Sequence, residues 1–340
     1  MSFPRFVDDW IIKHLLFNKN AKNINLVYVL VNIVLTSIPA AILLFSICDN
    51  TMNKLWMHVV GFAYTAFTLI TWTKSFILCM HYAAHTPVFK RNLTIVNNFM
   101  PYCLCTLFGI LPGQYYLHHI VMHHKENNIF PYDLSATMHY DRSKRSHMIH
   151  YCLRYFLGIY FELPYYAFKR KRYDLCRKSI MQVAGTITVY SVLFYARPVP
   201  TLYVFLLPML IIAYALMEGN WSQHIFVSPD VSKASDKELP YSITYTCLHS
   251  KNNAYTFNDG YHIEHHAQPT CPWYDLPSIY NEKEYEKYDG IAFKTIDIDT
   301  VRELVFANKL EELANYYVNV KNRSKDEIVD FFRSRLRPVR

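Results

Sequence analysis

Two long runs almost free of charge in the first quarter of the chain, and two more beyond its middle, dominate the pattern of apolar and polar positions. Residues 26–47 (LVYVLVNIVLTSIPAAILLFSI) hold no charge and are long enough to cross the hydrocarbon of a bilayer as a helix. Trp56–Met80 is nearly as apolar, with His58 and Lys74 as interruptions, and Lys74 must snorkel or find a partner. Ile180–Ala196 and Val199–Met217 form a later pair, divided by the turn-like Arg197-Pro198. The pattern predicts an all-α integral membrane protein with four transmembrane helices in two hairpins, at about 26–47, 56–80, 180–196 and 199–217.

Two further apolar stretches, Leu93–Gly113 and His147–Phe168, are broken by Pro101, Arg154, Glu162 and Pro164. They read as helices lying in or on the interface, where aromatics and occasional charges are tolerated. The alternative for the first is a fifth crossing, which would put the later histidines across the membrane from the earlier ones. Residues 301–336 carry apolar positions at helical spacing and read as a small cap or a membrane-surface helix. The expected organisation is therefore an N-terminal segment (1–25), a membrane domain (26–277) and a C-terminal tail (278–340).

Charge gives the orientation. Lys13, Lys19 and Lys22 precede the first run, and the segment between the pairs carries Lys90, Arg91, Lys125, Arg142, Lys144, Arg145, Arg154 and the basic run 169–172. The two short connections offer only Lys54 and Arg197. Both termini and the central segment are expected in the cytosol, with a helical cap there. The formal net charge of +8 follows from that bias and from attraction to an anionic leaflet, with no nucleic-acid motif to claim it. No secretory leader pattern is evident at the N-terminus. The eight cysteines (48, 79, 103, 105, 152, 176, 247 and 271) include no CxxC and read as reduced, buried, small hydrophobes.

Sixteen histidines are present, and most fall in four places. His81 and His85 close the second run four residues apart, on one helical face. HHIVMHH (118–124) repeats the four-residue interval at His119 and His123, with His124 beside them. His224 follows the fourth run in EGNWSQHIF, and HIEHH sets His262, His265 and His266 at i, i+3 and i+4. Nine imidazoles gathered on one side of a membrane are costly unless metal or hydrogen bonds neutralise the site. One tetrahedral ion needs at most four protein ligands, so nine candidates point to two ions, and ligand type alone allows iron, copper or zinc. Glu218, Asp259 and Glu264 are placed to orient imidazoles through their second ring nitrogens. The remaining histidines, His118, His14, His58, His139, His147, His150 and His249, read as surface, interface or supporting residues.

These motifs resemble the histidine boxes of the membrane-bound fatty acid desaturase superfamily, over about Leu26–Pro277. His81–His85 matches the first box and His262–His266 the last. Asn220-Trp-Ser-Gln-His224 matches an NxxxH pattern whose asparagine reaches one iron through water. The middle box, His119-Ile-Val-Met-His123-His124, has three intervening residues where the family pattern has two. The resemblance implies two irons held by His81, His85, His119, His123, His124, Asn220, His224, His262, His265 and His266, with oxygen as co-substrate and a C–H bond broken on a lipid acyl chain. No fused cytochrome b5 signature, CxxC-based iron–sulfur pattern or GxGxxG is present, so a separate cytochrome b5 or ferredoxin is implied as electron donor, and the endoplasmic reticulum as location. A hydroxylase or ketolase of the same superfamily would use the same boxes. A metal transporter would instead place histidines or carboxylates within the spans, where only His58 lies, and a metal-binding scaffold without activity is the remaining alternative.

Overall fold

The computed structural model describes residues 3–47 and 53–339. Cys48 and most of the first short connection fall outside the described residues. The protein is mostly helical, and four helices are long and apolar enough to cross a membrane: Ala21–Ser46, Lys54–His85, Tyr173–Ala196 and Pro198–Gln223. Each extends beyond its apolar run. The chain forms two compact units, one of residues up to His119 with Tyr160–Tyr214, the other of Ile120–Ile159 with residues from Ala215 onward.

In the first unit α1 (Arg5–His14) precedes α2 (Ile24–Ser46), which packs along α3 (Lys54–His85). Thr68 donates to Ser37 Oγ at 3.3 Å, and the Cys79 thiol lies against the Leu26 carbonyl at 3.8 Å. Small hydroxyls and thiols at such an interface let helices approach closely and satisfy one another. The fully buried Phe76 stacks on Phe108 with ring centres 4.1 Å apart. Gly109 has φ +63°, and a Cβ there would stand 2.1 Å from the Met209 backbone, so the turn needs glycine for both reasons.

The two stretches expected to lie at the interface are broken rather than continuous helices. α4 (Thr94–Tyr102) yields to a 3₁₀ segment, Leu104–Phe108, and the second stretch divides into α5 (Arg145–Gly158) and α6 (Glu162–Lys169). Then come α7 (Tyr173–Ala196) and, after a π segment at Leu202–Leu206, α8 (Leu207–Gln223). The Tyr203 carbonyl in that π segment accepts the Thr65 hydroxyl at 2.6 Å, which compensates the altered backbone pairing. Ile180, Ile187, Val192 and Tyr195 leave α7 with an exposed apolar surface, as expected of a helix facing lipid.

The second unit adds a feature absent from the helical reading. β1 (Tyr245–Leu248) and β2 (Ile291–Lys294) pair in parallel, Tyr245 opposite Ile291. Between them lie α9 (His262–Ala267) and α10 (Glu282–Tyr288), and α11 (Ile298–Phe306) and α12 (Lys325–Leu336) follow. The tail is thus part of the same packed unit as the last histidine box. Arg142 is fully buried and donates to six carbonyls. These are Ile225, Thr137, Met138, Tyr140, Arg335 and Arg337, at 2.6–3.1 Å. Burial lowers its pKa to about 9, so it stays cationic at neutral pH. Seven cysteines are described and none is bridged; Cys79, Cys105, Cys152 and Cys247 are buried, whereas Cys103, at the C-terminal cap of α4, is exposed.

Candidate metal centre

The last turn of α3 presents His81 and His85, and the start of the π-helix Leu117–His123 presents His119. These three imidazoles offer ring nitrogens within 4.8 Å of one another, with His85 Nε2 and His119 Nε2 3.0 Å apart. Tyr115 lies against the His119 ring at 5.2 Å. His119, and not His118, is the member of this cluster.

The middle box departs from the expected α-helical geometry. The segment Leu117–His123 is a π-helix, which bonds five residues apart rather than four and commonly marks functional sites. His123 and His124 belong instead to a second cluster, in the second unit. There His123, His224 and His266 offer nitrogens within 4.8 Å of one another, all three buried. His124 Nε2 approaches His265 Nε2 at 3.2 Å, and the His262 ring stands 4.8 Å from that of His266. His123, His124, His224, His262, His265 and His266 are thus linked through neighbouring ring contacts.

Two hydrogen bonds fix ring orientation. His224 Nδ1 bonds the Ile243 carbonyl at 2.9 Å, which makes Nδ1 the protonated nitrogen and leaves the Nε2 lone pair directed inward. His123 Nδ1 bonds Asp133 Oδ2 at 2.8 Å, and Asp133 is held in turn by the Ser135 hydroxyl and amide and by the Asn128 amide. Asp133 was not legible as a site residue in the sequence, since no motif marks a carboxylate ten positions beyond its histidine.

The carboxylates expected to support the imidazoles have the following partners. Glu264 accepts from Tyr285 and Thr246, each at 2.7 Å, so it ties the box helix α9 to α10 and β1 rather than orienting an imidazole. Burial raises its pKa. Glu218 pairs with Arg302 at 3.5 Å, and Asp259 accepts from Gln223 at 2.9 Å. Asn220 donates to the Tyr151 hydroxyl at 2.7 Å, which anchors its carboxamide beside the second cluster's α8 turn.

The donor set fits a metal. His224 Nε2 and both nitrogens of His266 are buried with no hydrogen-bond partner among the described residues. Burial, followed by the neighbouring His123, lowers the His224 pKa to about 3; burial and the adjacent His124, His262, His224 and His123 hold His266 well below its usual range. Buried neutral imidazoles with unsatisfied lone pairs are costly on their own and are the protonation state a cation requires.

The model of the fatty acid desaturase family matches residues 54–295, which include all four histidine groups. The chain belongs to the fatty acid desaturase family. No curated protein and no solved structure matches it. Membership, together with the four apolar helices, makes this a membrane protein of an oxidoreductase family that acts on lipids, with histidine clusters compatible with metal.

Proposed function

We propose that the protein is an oxygen-dependent lipid desaturase that holds two iron ions. His81, His85 and His119 would contribute to one and His123, His224 and His266 to the other, with His124, His262 and His265 completing the two sets and Asn220 contributing through water. The observation that carries this reading is the second cluster, where buried, neutral, partly unsatisfied imidazoles converge within a family whose chemistry is lipid oxidation. Bound iron would supply the oxygen-activating chemistry needed to break an unactivated C–H bond, which side chains alone cannot provide.

The protein's own contribution is orientation and protection. Asp133 and the Ile243 carbonyl hold His123 and His224 in the tautomer that points Nε2 at a ligand position. The buried Glu264 bridge keeps the last box helix in register with β1, and the burial of His81, His123, His224 and His265 excludes water from their inner faces. Electrons would come from a separate cytochrome b5 or ferredoxin at the basic cytosolic surface, with the endoplasmic reticulum membrane as location. Incubating the purified, iron-loaded protein with membrane lipids, oxygen and a reductase chain tests this. Products lighter by two hydrogens are expected. Products heavier by one oxygen would reassign it as a hydroxylase of the same family, and no oxygen consumption with any lipid class would overturn the reading.

A further inference from the structure

A cavity of about 330 Å³ opens in the first unit between the last turns of α3 and the segment leading into and through α4. Its closed end is apolar: Met80, Val88, Phe89 and Met100 are all buried there. Its open end carries Asn98, Tyr102 and Tyr116, all exposed. The cavity adjoins the first histidine cluster through Tyr115. Met80 and Ala84 line it and immediately precede His81 and His85, and Tyr115 lines it while its ring lies on that of His119.

Among the described residues lining this cavity none is charged. A phosphate buried beside such walls would lack the Arg or Lys partners that phosphate recognition uses. The cations closest in sequence do not line it: Lys90 is absent from the walls, and the Arg91 guanidinium sits 5.3 Å over the Phe17 ring. Carboxamide and phenol groups at the mouth instead match neutral donors and acceptors. The volume lies at the low end for ligand sites, room for the polar end of a lipid and its first methylenes rather than a whole chain.

We propose that this cavity receives the interfacial end of an uncharged lipid, one whose polar group is an amide or hydroxyl rather than a phosphate or coenzyme A. The proposal rests on the lipid-oxidation reading above and narrows its substrate class. The neutral group hydrogen-bonds at Asn98, Tyr102 and Tyr116, and the adjoining methylenes enter against Met80 and Ala84, beside the first cluster.

Photolabelling of the full chain in nanodiscs tests it, using a diazirine ceramide and a diazirine acyl-CoA of equal chain length, with peptide mapping and iron content measured on the same sample. The ceramide probe is expected to label peptides within 96–116 and to be displaced at least tenfold better by unlabelled ceramide than by acyl-CoA. Val96→Trp, which fills the cavity from α4, should abolish that labelling without loss of iron, and Asn98→Lys should shift the preference toward acyl-CoA. Equal or better labelling by acyl-CoA, or labelling untouched by Val96→Trp, overturns the proposal. The labelling needs no turnover, so expected labelling of a protein without iron or activity would support the ligand class while removing the oxidative reading.

Discussion

Asp133 Oδ2 lies 2.8 Å from His123 Nδ1, with both side chains withdrawn from solvent. A carboxylate at that nitrogen makes it the donor, so the ring can turn only its Nε2 lone pair to a cation. The pair thereby links a loop that carries no motif to the second histidine cluster.

Asp133→Asn is therefore expected to weaken metal binding by about ten- to a hundredfold while the helices stay folded. Metal content after dialysis against a graded chelator series, read beside circular dichroism, measures this. Retention equal to that of the unaltered protein would remove Asp133 from the site.

The bridge from the tail to the last box makes a second prediction. Tyr285→Phe deletes the donor to Glu264 Oε1 and leaves that oxygen buried and unsatisfied, a cost of about 1–3 kcal/mol. Reduced thermal stability and faster metal loss are expected, and Tyr285→Phe combined with Glu264→Gln should cost less than the sum of the two single changes. Strict additivity would show that the two side chains act independently.

Arg142 joins the segment after the middle box, the residue following His224 and the end of α12. Replacing it by Met strands several buried carbonyls at once, so a loss of at least about 3 kcal/mol is expected. Arg142→Lys should fall between, because an ammonium has fewer donors and no planar fork. Thermal unfolding in detergent ranks the three proteins, and an Arg142→Met variant as stable as the original contradicts the assignment.

His139, outside the histidine clusters, contributes to the pH dependence. Burial first, then Arg154, Arg142 and His150, lowers its pKa to about 4 from 6.5. Protonation therefore favours the unfolded chain. The neutral ring's contribution is whole above about pH 6.5 and is lost as pH falls from there toward 4. His139→Leu should lessen the fall in unfolding temperature across that window, leaving the part due to His224 and His266, and an unchanged profile would remove His139 from the acid response.

The sequence made some of this legible for physical reasons that differ by element. Spans announce themselves because lipid demands uninterrupted apolar length, and His81 with His85, or His262 with His266, reads as a pair because four residues make roughly one helical turn. The partition of the middle box between two clusters was not legible, since it depends on which distant histidines each ring meets, and the π-helix there leaves no periodic signature in seven residues. Nor was the pairing of β1 with β2: two four-residue strands, one wholly buried and the other exposed only at Lys294, show little alternation, and their partners lie 46 positions apart. Arg142 looked like one more cytosolic cation, and only the carbonyls that converge on it from distant segments reveal a buried clasp.

The central claim, that the two histidine clusters hold iron, is tested most directly by the metal content of the purified full-length protein beside His85→Ala and His266→Ala variants. About two iron ions per chain are expected, falling to about one or fewer when either cluster is broken. Zinc in place of iron, or iron that neither substitution reduces, would contradict the account.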